Sequence, residues 1–196
     1  TYGLAIDVGT TSIAATLVDF ANAAVKATAG AYNRQIECGD DVISRISAVR
    51  LDPRTLPRLQ AMTVSAIDWA VNALCRQARI DPRGIGDAVA VGNSTMVHLL
   101  LGEDPSSMGV FPYAPGFLDA RGVTAAEVGL KFNPGARLRT LPLISGYLGA
   151  DIVSAALAVD LARHASGTLL VDVGTNGEII MLAEAGLSAT SCATGP

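Results

Sequence analysis

Two hydrophobic rhythms alternate along the chain, and their order predicts its elements. Near the N-terminus apolar residues recur with a period of about two. Residues 3–7 read as a buried strand, 12–19 as a second, and 24–32 as a weaker third through Val25, Ala27 and Ala29. Three strands joined by short turns predict an antiparallel meander. After a loop from Asn33 to Gly39 the rhythm turns helical. Asp40 or Asp41 is placed to cap a helix carrying Val42, Ile43, Ile46 and Val49 on its apolar side, with Arg45 on another face.

Pro53 and Pro57 punctuate a turn before a long helix, about Leu59 to Arg79, whose one face carries Met62, Ala66, Ile67, Ala70, Val71, Leu74 and Ala78. Ala88 to Val91 reads as a short strand, Gly92-Asn93-Ser94-Thr95 as a polar turn, and Met96 to Leu101 as a helix. Residues 102–140 break the pattern at Pro105, Pro112, Pro115 and Pro134. Their compact helical signal is Thr124-Ala125-Ala126-Glu127, a capping-box spacing. A long irregular connection of this kind is usually functional or mobile. Its Phe111, Tyr113 and Phe117 are expected to pack the loop onto its own domain.

A strand from Arg137 to Ile144, with Pro142 at its edge or end, then leads through Ser145-Gly146-Tyr147-Leu148-Gly149-Ala150-Asp151 into a helix reaching about His164. Strands follow at 168–172 and 178–183, with another around Leu187 to Thr190.

One piece of this pattern is written twice. Leu4-Ala5-Ile6-Asp7-Val8-Gly9-Thr10-Thr11-Ser12 near the start is matched by Leu169-Leu170-Val171-Asp172-Val173-Gly174-Thr175-Asn176-Gly177 near the end. Each copy is an apolar run, Asp-Val-Gly-Thr, small polar residues and another strand. Such spacing fits two halves of a duplicated fold. Glycine permits a tight turn and close approach. Backbone N–H groups and hydroxyls after it can nest phosphate oxygens. The Asp suits Mg²⁺, which keeps much of its water and takes a carboxylate or two. A pair of ordinary hairpin turns is the plain alternative, and two copies in matching context favour phosphate binding. The turn at Gly92 to Thr95 opens a helix and is a third candidate anion site, an ordinary capped junction being its alternative. His98 reads as a packing or surface histidine, and Asp151 sits where a helix dipole stabilises a carboxylate.

Composition narrows the classes. Of 196 residues half are hydrophobic and 16% charged, with a net charge of −4, which fits a compact soluble chain. No stretch gathers Lys and Arg with aromatics, so no nucleic-acid surface is expected. No apolar run reaches the roughly 20 residues of a membrane helix, and no signal peptide is visible. Cys38, Cys75 and Cys192 fit neither a disulfide framework nor a zinc spacing, which points to a reducing, cytoplasmic compartment. The start at Thr1 and the stop at Pro196, just past the second hairpin, are expected to be cuts in a longer polypeptide.

The element order resembles the actin, sugar-kinase and heat-shock ATPase superfamily, an α/β actin-like (ribonuclease H-like) fold. Within it the chain resembles the ATPase region of reductive activators of corrinoid-dependent proteins, the corrinoid activation proteins or methyltransferase activases. The carriers are the two turns, Gly39-Asp40-Asp41-Val42-Ile43-Ser44-Arg45-Ile46, Val91-Gly92-Asn93-Ser94-Thr95-Met96, Gly146-Tyr147-Leu148-Gly149-Ala150-Asp151, Thr175-Asn176-Gly177-Glu178 and Thr190-Ser191-Cys192-Ala193-Thr194-Gly195-Pro196. The resemblance implies a first ATPase domain over 1–140, with the irregular insert at 102–140, and a linking helix and truncated second domain over 141–196.

It also implies ATP and Mg²⁺ as cofactors. Asp7 and Asp172 would orient the metal and its waters. Gly9, Thr10, Thr11, Gly174, Thr175, Asn176 and Gly177 would hold phosphates, Asn93 and Ser94 would close the site, and Asp151 would position the attacking water. The implied partner is a corrinoid-dependent methyl-transfer protein whose Co(II) is returned to Co(I). The resemblance also implies that the electron comes from a two-iron cluster in an N-terminal domain, and with no four-Cys spacing here that domain is expected to lie outside this chain. A homodimer is allowed. The alternatives are a small-molecule kinase, an iron–sulfur ATPase activator of a 2-hydroxyacyl-CoA dehydratase using Cys38 or Cys192, and an actin-type filament protein.

Overall fold

The computed structural model describes residues 1–174 and 176–193. Thr175, and Thr194, Gly195 and Pro196 of the last motif, lie outside the described residues.

The predicted meander forms. β1 (Tyr2–Val8), β2 (Ser12–Asp19) and β3 (Ala24–Tyr32) pair antiparallel in sequence. On its other side β1 pairs parallel with β4 (Ile85–Val91), which pairs parallel with β6 (Arg137–Thr140). β5 (Gly122–Thr124) joins β6 antiparallel and completes the six-stranded order β3-β2-β1-β4-β6-β5. A second sheet is a plain meander of β7 (Leu169–Val173), β8 (Asn176–Ala183) and β9 (Gly186–Ala193).

Helix α1 (Val42–Leu51) starts where Asp41 accepts a hydrogen bond from Ser44 N–H, a cap typically worth about 1 kcal/mol. Val42, Ile46 and Val49 are buried as the spacing predicts, while Ile43 is half exposed. Arg45 departs from expectation: it points inward and is fully buried. Helix α2 (Thr55–Ala78) begins a turn earlier than predicted, because a proline in a first helical turn removes no intrahelical bond. It packs Leu59, Ile67, Ala70, Val71 and Leu74 onto the core of the large sheet. Cys75 is buried there, and burial pushes its thiol pKa up. Helix α3 (Ser94–Leu101) follows β4, capped by Asn93, whose Oδ1 accepts from Met96 N–H.

The insert differs from its reading in two places. Thr124 and Glu127 do make capping-box bonds, Thr124 N–H to Glu127 Oε2 at 2.6 Å, yet they close a turn rather than open a helix. The three-residue β5 is an addition that no periodicity announces. Phe117 packs as expected, stacked on His98 at 4.3 Å between ring centroids, whereas Phe111 is 85% exposed. His98 is wholly buried, its Nδ1 facing Ser94 O and its Nε2 accepting from Gly116 N–H, so it pins the insert to α3.

Helix α4 (Ala150–Ala158) is shorter than predicted. Asp160 adopts a left-handed φ of 50°, which ends regular helix, and only a 3-10 turn over Leu161–Arg163 continues. Leu148, Ile152 and Leu161 bury against Ile180 of β8, which ties α4 to the second sheet.

Candidate functional site

Asp7 stands near the C-terminal end of β1, opposite Val91 of β4 and Ala14 of β2. A ligand site outside the ends of parallel strands is the rule in α/β sheets. The chain turns at Gly9, where a Cβ would lie 2.4 Å from Ser12 O, so no larger residue fits without moving the turn. Gly92 and Gly149 permit a second close approach. A methyl on Gly149 would meet Asn93 Cα at 2.4 Å and Gly92 O at 2.5 Å. With no methyl there, Gly92 O accepts from both Ala150 N–H (2.9 Å) and Asp151 N–H (3.3 Å). The N-terminus of α4 is thereby seated against the β4–α3 junction, and Asp151 is carried to the first turn.

The second turn arrives from the other sheet. Asp172 pairs across its hairpin with Glu178, and Gly174 N–H donates to Asn176 O at 3.0 Å. The two turns, Asn93 and Asp151 line one cavity of about 220 Å³, bounded by Asp7, Gly9, Thr10, Thr11, Ser12, Asn93, Asp151, Asp172, Gly174, Asn176 and Glu178. Asn93 closes onto the first turn, its Nδ2 donating to Thr10 Oγ1 at 2.9 Å.

Two predicted site residues stand elsewhere. Ser94 is buried outside the cavity wall, its hydroxyl donating to Ser145 O at 2.5 Å. Gly177 is buried in β8, its carbonyl facing Cys192 Sγ at 3.6 Å. Thr175 lies outside the described residues.

Glu178 is the site residue that sequence reading missed. It is 7% exposed and its side chain meets Ser191 Oγ at 3.4 Å. The available signal was the hairpin register: a residue six positions past Asp172, across a tight turn, comes to lie opposite it.

Four carboxylates thus share one small space, and no ion pair among the described residues engages any of them. Burial, with smaller contributions from Asp7 and Asp172, pushes Asp151 up to about 6. Burial, then Asp151 and Asp172, pushes Glu178 up to about 7. Asp7 opens onto the cavity, yet the protein around it displaces enough water to raise its pKa, and Asp172 adds to this. Such a cluster is starved of cations, and a pair of environments that raise carboxylate pKa values marks a functional site. Among the described residues no three His, Cys, Asp or Glu stand close enough to hold a metal directly. The donor set fits an ion held through water by one or two carboxylates, as Mg²⁺ prefers.

The cysteines make no cluster. Cys38, Cys75 and Cys192 are all free, with Cys192 exposed on β9. No helix among the described residues is long and apolar enough to cross a membrane.

Two hairpins of one design, one per sheet, with a helix carrying a carboxylate between them, define an α/β actin-like fold of the ASKHA class. The chain belongs to the RACo family: the RACo middle region matches residues 2–164, and the C-terminal domain of RACo, the ASKHA domain, matches residues 166–196. It is 34% identical over 178 residues to the corrinoid activation enzyme RamQ of Eubacterium limosum, covering 91% of this chain and 30% of RamQ. Its structure is similar to that of a reductive activator for corrinoid, iron-sulfur protein. The TM-score there is 0.96 at 38% identity, over 100% of this chain and 31% of that one. The chain therefore spans about a third of the length of these relatives. A Sinorhizobium meliloti protein described as a 2-dehydro-3-deoxygalactonokinase, at 11% identity, TM-score 0.50 and coverage of 96% and 52%, shows the fold alone.

Proposed function

We propose that the chain is the phosphate-binding core of an ATP-driven activator that returns an inactive Co(II) corrinoid on a partner protein to Co(I). Residues 1–140 would form the first ATPase domain and 141–196 the linking helix and opening of the second, in a cytoplasmic protein. The observation that carries the reading is the meeting of Asp7 and Asp172, from two different sheets, in one cavity with Asp151. The relatives' named activities support the rest.

In this reading the backbone and hydroxyls of Gly9 to Thr11 and Gly174 to Asn176 would hold the β- and γ-phosphates. Asp7 and Asp172 would orient the waters of Mg²⁺, which when bound would supply the charge that offsets the phosphates. Asn93 fixes the Thr10 hydroxyl. Asp151, seated at the α4 N-terminus with Oδ1 accepting from Ile152 N–H at 2.8 Å, aims the attacking water. Positioning and charge stabilisation are most of what phosphoryl-transfer catalysis requires. The one-electron reduction itself draws on a donor outside this chain, expected to be a two-iron cluster.

The test uses the full-length protein with ATP, Mg²⁺, a low-potential reductant and a corrinoid protein. Growth of the Co(I) absorption that depends on ATP supports the reading. A phosphorylated small molecule formed without any change in corrinoid spectrum would instead establish the kinase alternative.

A further inference from the structure

The first turn is held from behind by a buried polar rack. Asn33 Nδ2 donates to Gly9 O at 2.9 Å, and Arg45 Nη2 donates to Thr10 O at 2.7 Å. Both side chains also meet at Gln35 Oε1, Asn33 Nδ2 at 3.2 Å and Arg45 Nη1 at 3.0 Å, and both approach Met96 Sδ. Gln35 is anchored in turn by Nε2 donating to Leu59 O at 2.9 Å. Arg45 Nε donates to Gly39 O at 3.0 Å, which ties the loop before α1 to the same guanidinium.

A trans peptide points its C=O and the next N–H in opposite directions. Two successive carbonyls of the turn are drawn backward, so the N–H groups of Thr10 and Thr11 are turned away from the rack, on the side of a cavity that both residues line. Successive N–H groups so aligned make an anion nest.

Holding a carbonyl does not require a charge, since Asn33 does so without one. Arg45 is nonetheless the one fully buried charged side chain in the described structure, and each of its hydrogen-bond acceptors is neutral. Burial lowers its pKa only to about 10, against the pull of Asp41 and, less strongly, Cys38 and Asp40, so it remains a cation at neutral pH. With these carboxylates standing off and no direct ion pair among the described residues, the buried charge is incompletely offset, and an anion on the far side of the peptide it grips would add to the offset.

We infer that Arg45 is a positioning residue whose buried charge, transmitted through the Thr10 peptide, tunes the first turn for polyanionic phosphate. This rests on the nucleotide reading of the cavity. It predicts an effect that scales with ligand charge, which a merely structural arginine would not produce.

The experiment measures binding of ATP, ADP and adenosine to full-length wild type, Arg45→Gln and Arg45→Lys by calorimetry, with thermal unfolding alongside. In Arg45→Gln, whose amide nitrogen reaches the place of Arg45 Nε beside Gly39 O but carries no charge to the Thr10 peptide, ATP affinity is expected to fall more than tenfold, ADP less, and adenosine less than twofold. Equal losses for all three ligands, or none, would overturn the inference. Should Arg45→Gln not fold, Arg45→Lys decides on the same ligands. Its loss is expected below threefold for ATP with adenosine unchanged, and equal losses for ATP and adenosine would again overturn it. Wild type that binds no ATP would strike at the nucleotide reading itself, a result distinct from either.

Discussion

The two Asp-Val-Gly-Thr turns share four residues and almost nothing of their surroundings. Asp7 lies on β1, an interior strand paired on both sides, and the adjoining Val8 is fully buried. Asp172 lies on β7, an edge strand, and Val173 is 77% exposed. Behind the first turn stand Asn33, Arg45 and Asn93, each bonded to it. The second is drawn closed by its own hairpin, with Leu169, Val171 and Val173 open on one side of β7. Among the described residues, both copies of the tetrapeptide therefore end a strand and enter a tight turn, while the packing around them differs.

The comparison is most directly broken by removing each carboxylate. Asp7→Ala and Asp172→Ala in the full-length protein are each expected to lower ATP hydrolysis by about 10²–10³-fold, read as phosphate release, because each removes a carboxylate proposed to orient the waters of Mg²⁺. Wild-type turnover in either variant would mean that the turns do not act as a pair. Asp151→Asn is expected to lower kcat by roughly 10–100-fold while nucleotide Kd stays within about threefold, the pattern of a group that acts on water rather than on binding.

A stability pair sharpens the same contrast. Val8→Ala should cost the 196-residue chain about 2 kcal/mol in urea unfolding, and Val173→Ala no more than about 0.5. Comparable costs at both positions would show that the second turn is as tightly packed as the first.

The smallest expected effect concerns pH. Asp151 and Glu178 have folded pKa values of about 6 and about 7, above their ordinary values of 3.8 and 4.5. Over that interval the folded protein binds more protons than the unfolded one, so metal-free stability should fall as pH rises from about 4 to 7. Glu178→Gln should then raise Tm at pH 8 by about 3 °C, equivalent to about 1 kcal/mol. Added Mg²⁺ should stabilise the wild type increasingly with pH. A variant with unchanged or lower Tm would remove Glu178 from the strained cluster.

Much of this arrangement was legible in the sequence because strand ends are local. The meander, a cap at Asp40 or Asp41, the repeated turn and the places of Asp7 and Asp172 at strand ends follow from spacing and turn chemistry, while the family resemblance is what implied that Asn93 and Asp151 join them in one site. The misses are tertiary. Arg45 reads as lying on another face of α1 than the apolar one, and nothing local announces the carbonyls that draw it inward. Glu178 hid in a strand whose partner had to be known before its side chain could be placed. The Thr124–Glu127 bonds formed without the helix they usually open, since the chain turns back at Gly129, whose left-handed φ of 87° ends the run. The short α4 followed from a left-handed backbone at Asp160 that apolar spacing cannot reveal.

The doubly accepting carbonyl of Gly92 has a kinematic consequence. It fastens the first residues of α4 to the larger sheet, while Ile152 and, further along, Ala155 and Ala156 pack with the smaller one. Asp151 therefore sits between two attachments, its backbone N–H held by the larger sheet and its neighbour Ile152 packed on the smaller one. A change in the angle between the sheets would move Asp172 relative to Asp7 more than it moves Asp151.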